Sequence, residues 1–227
     1  MGKEIEKKLE RSKNLGLKNW WNTRNAIAFM VIFHLVGLIG LSLEWSRGLF
    51  LNLVPSHLLL MSFLILVFHK DWSPKFIGVL IFTYLSGFFA EFFGVETGLV
   101  FGEYNYGETL GWKWMEIPFM IGVNWIIMIY SSVMVANKLS DKKWVRIISA
   151  ALLMVFADVF IEPVAIANDY WSWAGGEIPI QNYLGWFVIS FAIITVWYSF
   201  LKLKTNKVAY SLYWIQLVFF ILLNLFS

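Results

Sequence analysis

The chain has 227 residues, of which 59% are hydrophobic and 15% charged, with a mean hydropathy of +0.66. That composition excludes an ordinary soluble domain, which would have to bury several apolar runs of membrane-spanning length in one small core. The absence of cysteine excludes a disulfide framework and thiol chemistry, and the net charge of +3 lies beside apolar runs, where it orients a membrane protein rather than binding nucleic acid.

In chain order, residues 1–24 form a basic segment with Ile5, Leu9 and Leu17 scattered among Lys and Arg. It is expected to make a short surface helix ending at the interfacial pair Trp20 and Trp21. No small-residue cleavage site follows the first apolar run, so an uncleaved first span is expected. Seven spans are predicted, at about 25–43, 49–68, 76–93, 117–137, 146–166, 184–201 and 208–226. Together they make one all-α transmembrane bundle over 25–227, with loops 94–116 and 167–183 capping one end. The breakers agree: Pro74 precedes span three, Pro118 opens span four, and Gly175, Gly176 and Pro179 lie before span six.

The charges predict an orientation. Of the 18 Lys and Arg, all but Arg47 and Lys113 fall on the side of the N-terminal segment, which places the N-terminus in the cytoplasm and the C-terminus outside. Glu91 then lies near the outer end of span three. Asp158 lies roughly 18 Å along span five at 1.5 Å per residue, and Glu162 follows one turn later on the same face. Asn124 is two turns into span four, and His34 and His57 lie within spans one and two.

Two stretches share an outline. Glu91 to Trp125 and Asp158 to Trp186 each hold an acid in an apolar run, an aromatic-rich loop, an Ile-Pro pair and a Trp. Their topology is the same, so the repeat is of the parallel kind. Acids inside apolar helices are costly and by default functional. A carboxylic acid held neutral in a low-dielectric site can deliver a proton, and Glu91, Asp158 and Glu162 fit that description. The plainer alternative is that they pair with His34, His57 or Tyr and merely hold the bundle. Tyr104, Tyr106, Trp112, Trp114, Trp171 and Trp173 are either an interfacial belt or π faces that steady a cation. An acid beside aromatic faces suits protonation of an alkene in an apolar substrate. Asn124 and Asn182 orient a water or a carboxylate, or simply pack and cap. Gly98, Gly102, Gly107 and Gly111 read as turn residues.

Other chemistries lack their motifs. The three histidines are scattered without His-x-x-x-His spacing, no phosphate loop or dinucleotide fingerprint is present, and span seven holds no lysine for a retinal Schiff base. No metal and no cofactor are therefore expected.

Glu91, Thr97-Gly98, Phe101-Gly102, Tyr104, Tyr106, Leu110-Gly111, Pro118 and Trp125 resemble the first signature of the integral-membrane carotenoid biosynthesis family, which includes carotenoid 1,2-hydratases and the bisanhydrobacterioruberin hydratase type. Asp158, Glu162-Pro163, Trp171, Trp173, Pro179, Asn182, Gly185 and Trp186 resemble its second. The likeness covers about 85–190. It implies a cofactor-independent hydro-lyase of a bacterial or archaeal cytoplasmic membrane that adds water across the terminal C1=C2 bond of an acyclic (ψ) carotenoid end such as lycopene or γ-carotene. Membrane lipid, the carotenoid substrate and other carotenoid enzymes are the partners it suggests. Asp158, the deepest acid, is expected to give the proton, with Glu91 and Glu162 orienting and activating water; the alternative is that Glu91 and Asp158 exchange these roles. Glu96, Asn124, Asn182, Tyr104, Tyr106, Trp125, Trp171, Trp173 and His57 are expected around substrate and water. The rivals are a lycopene-cyclase-like enzyme using the same protonation, a proton-coupled transporter, and a carotenoid-binding protein without catalysis.

Overall fold

The computed structural model describes residues 22–226, so the expected surface helix and the Trp20–Trp21 pair lie outside the described residues. Seven helices, each long and apolar enough to cross a membrane, run α1 (Thr23–Ser42), α2 (Glu44–Val67), α3 (Pro74–Thr97), α4 (Phe119–Leu139), α5 (Lys143–Ala167), α6 (Ile180–Phe200) and α7 (Lys207–Phe226). The protein is an all-α polytopic bundle whose apolar outer faces meet lipid.

Local chemistry sets the ends. Asn22 caps α1 by accepting from the Asn25 amide at 2.9 Å, and Ser73 caps α3, where Pro74 occupies the first turn. Gly98 ends α3 at φ 65°, a left-handed conformation that costs glycine little. The expected gap at 44–48 is instead the first turn of α2, so only Leu43 joins α1 to α2. The Ser46 hydroxyl donates to the Gly40 carbonyl at 2.8 Å across this joint, and Arg47 donates to the Ala167 carbonyl at 2.7 Å, tying α2 to the end of α5.

α4 is the hub. It packs on α2, α3, α5 and α7, and 72% of its apolar window is buried, against 22% for α2. The capping loops carry order that hydropathy does not predict. Strand β1 (Tyr104–Tyr106) pairs antiparallel with β4 (Trp171–Trp173), in the register Tyr104 to Trp173 and Tyr106 to Trp171. Strands β2 (Lys113–Trp114) and β3 (Ile117–Pro118) close a small hairpin before α4. The loops meet closely at Gly107, where a Cβ would lie 2.2 Å from the Asp169 carbonyl oxygen. Asp169 also accepts the Glu108 amide, while the Thr109 hydroxyl donates to the Asn168 carbonyl.

The opposite end has its own polar clasp. Asn206 donates to the Ile65 carbonyl and the Tyr130 hydroxyl, and its side-chain oxygen accepts the Val208 amide at the start of α7. His69 stacks on Phe76 with ring centroids 3.5 Å apart.

Candidate active site: two carboxylate cradles under one aromatic ribbon

Strand alternation puts Tyr104 and Tyr106, and likewise Trp171 and Trp173, on one side of the β1–β4 ribbon, facing the helices. The four rings are buried over three carboxyl groups. Glu91 from α3 accepts the Tyr104 hydroxyl at 2.6 Å and the Tyr106 hydroxyl at 2.8 Å on one oxygen, and the Trp125 indole N–H at 3.0 Å on the other. Burial, with the Glu91 charge adding to it, holds both tyrosine phenols well above their ordinary range, so they remain donors. Glu162 from α5 accepts the indole N–H groups of Trp171 at 3.0 Å and Trp173 at 2.9 Å on one oxygen, and Asn182 at 2.9 Å on the other.

Asp158 lies one turn before Glu162 and is completely buried. Asn182 spends its second N–H on one Asp158 oxygen, at 2.9 Å; the other oxygen, Oδ1, has no partner among the described residues. Neither acid of this pair meets a Lys or Arg: the two ion pairs among the described residues, Lys113–Glu108 and Arg146–Asp141, are peripheral. No cluster of three His, Asp or Glu side chains placed to hold a metal occurs among them either.

The space around these groups is small. A chamber of about 10 Å³, room for at most one water, is walled by Glu91, Glu162, Asn182, Tyr104, Trp173 and Trp186. Ile121 and Trp171 line it and also line a second cavity of about 330 Å³ between α1, α2, α4 and α7. That cavity is mostly apolar, and Phe33, Val36 and Leu53 on its walls are also exposed on faces turned to lipid.

The structure therefore brings together Glu91, Asp158, Glu162, Asn182, Tyr104, Tyr106, Trp125, Trp171 and Trp173. Asn124 and His57 line the larger cavity instead, and Glu96 is exposed on α3 away from both. The acids do not pair with the histidines: His34 and His57 face one another edge-on at 4.7 Å. The aromatics also divide. Trp112 and Trp114 are exposed, at 89% and 46%, whereas Trp171 and Trp173 are both 7% exposed and bound to Glu162. Three wall residues were absent from the sequence-predicted set: Ile121, Phe101 and Trp186. A signal for Trp186 was present, since Trp125 and Trp186 each stand seven residues after an Ile-Pro proline. Their rings stack at 4.6 Å with planes 13° apart.

A family model described as carotenoid biosynthesis protein matches residues 49–227, which includes every residue of both cradles. The chain belongs to this family. The chain is also similar to a bisanhydrobacterioruberin hydratase of Haloarcula japonica, at 28% identity over 104 residues, covering 42% of this chain and 36% of the relative. The chain thus matches little more than a third of that protein's length. No solved structure matches.

Proposed function

We propose that this family member is a carotenoid hydratase acting on the terminal C1=C2 bond of an acyclic ψ end, as in lycopene or γ-carotene. The observation that carries the reading is Asp158 Oδ1, a fully buried carboxylate oxygen with no hydrogen-bond partner, on the acid that shares Asn182 with Glu162. Asp158, protonated, gives its proton to C2. The electron pair of the C1=C2 bond forms the new C–H bond and leaves a tertiary cation at C1. The π faces of Trp171 and Trp173 steady that charge. Water adds its oxygen to C1, and the proton it sheds restores the acid, so no oxidant or cofactor is consumed. Glu162, fixed by two indoles, holds Asn182 and through it Asp158 in place. Glu91 fixes the tyrosine side of the ribbon. The cavity beyond Ile121 and Trp171 takes the substrate end, with the rest of the polyene in lipid. The distribution of Lys and Arg supports a cytoplasmic N-terminus, which sets the ribbon at the outer face.

The test is expression in cells that accumulate lycopene or γ-carotene, with products read by chromatography and mass spectrometry. A more polar product heavier by one water is expected. An isomer of unchanged mass would replace this reading with a cyclase, and unconverted pigment bound to the purified protein would replace it with a carotenoid-binding role.

A further inference from the structure

The larger cavity is mostly apolar, with His34, Ser56, His57, Asn124 and Gln216 among its polar walls. Counting 1.5 Å per residue from the ribbon end, His34, His57 and Gln216 lie roughly one-third to two-thirds of the way down their helices, deeper than Glu162. All three line the cavity. His34 Nδ1 lies 2.8 Å from the Met30 carbonyl oxygen. A carbonyl only accepts, so the proton is on Nδ1 and the lone pair is on Nε2. His34 thus presents a free base while its ring packs edge-on against His57 and Phe219. His57 makes no hydrogen bond among the described residues, and Gln216, 7% exposed, has a side-chain oxygen without a partner. Three polar side chains with unused bonding capacity, on a cavity whose other walls are mostly apolar with Ser56 and Asn124 as further polar groups, fit one small O–H ligand with two to four partners.

The carboxylate chamber serves that purpose poorly. It has room for at most one water, and the N–H and O–H groups around it are committed to Glu91, Glu162 and Asp158. Proton donor and water also need separate stations, because a water bound against the donor would compete with the alkene for the proton.

We propose that His34, His57 and Gln216 hold the water that captures the cation, with His34 Nε2 taking the proton this water sheds. This rests on the hydratase reading and adds to it a base that is not a carboxylate. The step balances: the water oxygen forms the C1–O bond, one of its protons passes to His34 Nε2, and Asp158 is reprotonated from His34 or from solvent before the next turnover. Without held water the cation instead loses an adjacent C–H proton and gives a double-bond isomer of unchanged mass.

The experiment compares wild type with Gln216→Met, His34→Phe and His57→Phe in lycopene-accumulating cells, measuring both substrate consumed and the ratio of hydrate to isomer. A ratio of hydrate to isomer lowered at least about tenfold, whatever the change in total consumption, is expected for Gln216→Met and His34→Phe. An unchanged ratio at full consumption in both overturns the water station while leaving the hydratase reading intact. A wild-type protein that forms no hydrate overturns the hydratase reading itself. Gln216→Glu, which retains an acceptor of the same size, guards against misfolding. A ratio that stays near wild type in Gln216→Glu but falls in Gln216→Met supports the station, and an equal fall in both overturns it.

Discussion

The two halves of the site, α3–β1–α4 and α5–β4–α6, use one plan with different residues. In each, a helix glutamate accepts two ring donors from the strand that follows and one donor from the next helix. Glu91 takes two phenols and the Trp125 indole; Glu162 takes two indoles and the Asn182 amide. One turn before Glu162 is Asp158, and one turn before Glu91 is Gly87, with the Trp125 ring lying over it. Three residues after the Ile-Pro proline the second half has Asn182 and the first has Ile121. The first half is thus saturated: its acid satisfies its donors, and a ring fills the place of a second acid. The second half carries one carboxyl more than its donors can serve. Under the proposed hydratase reading, a shared scaffold that differs by an added acid and the amide holding it assigns the chemistry to the second half and the support to the first.

The largest expected effect tests that division. Asp158→Asn keeps the shape and removes the transferable proton, so product should fall by about 10²- to 10⁴-fold while the protein stays folded in the membrane. Full activity in this variant removes Asp158 from the mechanism. Glu91→Gln should act differently. It leaves three buried donors facing a neutral amide, and the expected cost is about 1–3 kcal/mol of stability, read as a lower unfolding midpoint in detergent, with product still formed. If Glu91→Gln abolishes product without lowering the midpoint, the two halves exchange roles.

Gly87→Ala probes the same difference from the packing side. A Cβ there would lie 2.3 Å from the Trp125 ring, which is stacked on Trp186 and bonded to Glu91, so the ring has little freedom to yield. Overpacking of this kind costs about 1–3 kcal/mol. The midpoint should drop, and tryptophan fluorescence should report a displaced stack. An unchanged midpoint shows that the first half is looser than its hydrogen bonds suggest.

Much of this was legible in the residues, and the exceptions have physical causes. Runs of about twenty apolar residues give seven helices because backbone groups in hydrocarbon must bond within the segment. The acids were legible for the same reason, since an unpaired carboxyl there is too costly to be incidental. The ends were less so: residues 44–48 are too polar to read as span, yet Leu43 alone suffices for the turn and the helix continues through them. The β1–β4 ribbon was hidden because three-residue strands have no periodicity to detect and their pairing is set 69 residues away, as Tyr104 to Trp173. Composition did not separate belt from site among the tryptophans; burial under the ribbon does. Asn124 stands beside Trp125 and Glu96 five residues after Glu91, but helix phase turns both elsewhere.

The smallest effect concerns the difference between the buried rings of the two strands: phenols titrate and indoles do not. Tyr104 and Tyr106 have ionisation points raised by burial and by Glu91 above the ordinary 10.0. A group raised in the folded state contributes stability that is intact below the unfolded value and is lost as pH rises through the folded one. The protein should therefore lose stability above about pH 10, where the unfolded chain ionises these phenols and the folded chain does not. Tyr106→Phe, at a cost of about 1 kcal/mol near neutral pH, should make this alkaline loss shallower. Trp173→Phe removes a donor from the other cradle and should leave the slope unchanged. Equal slopes in all three proteins would mean that the tyrosine cradle opens before its phenols ionise, and the first half would then be the mobile side of the site rather than its support.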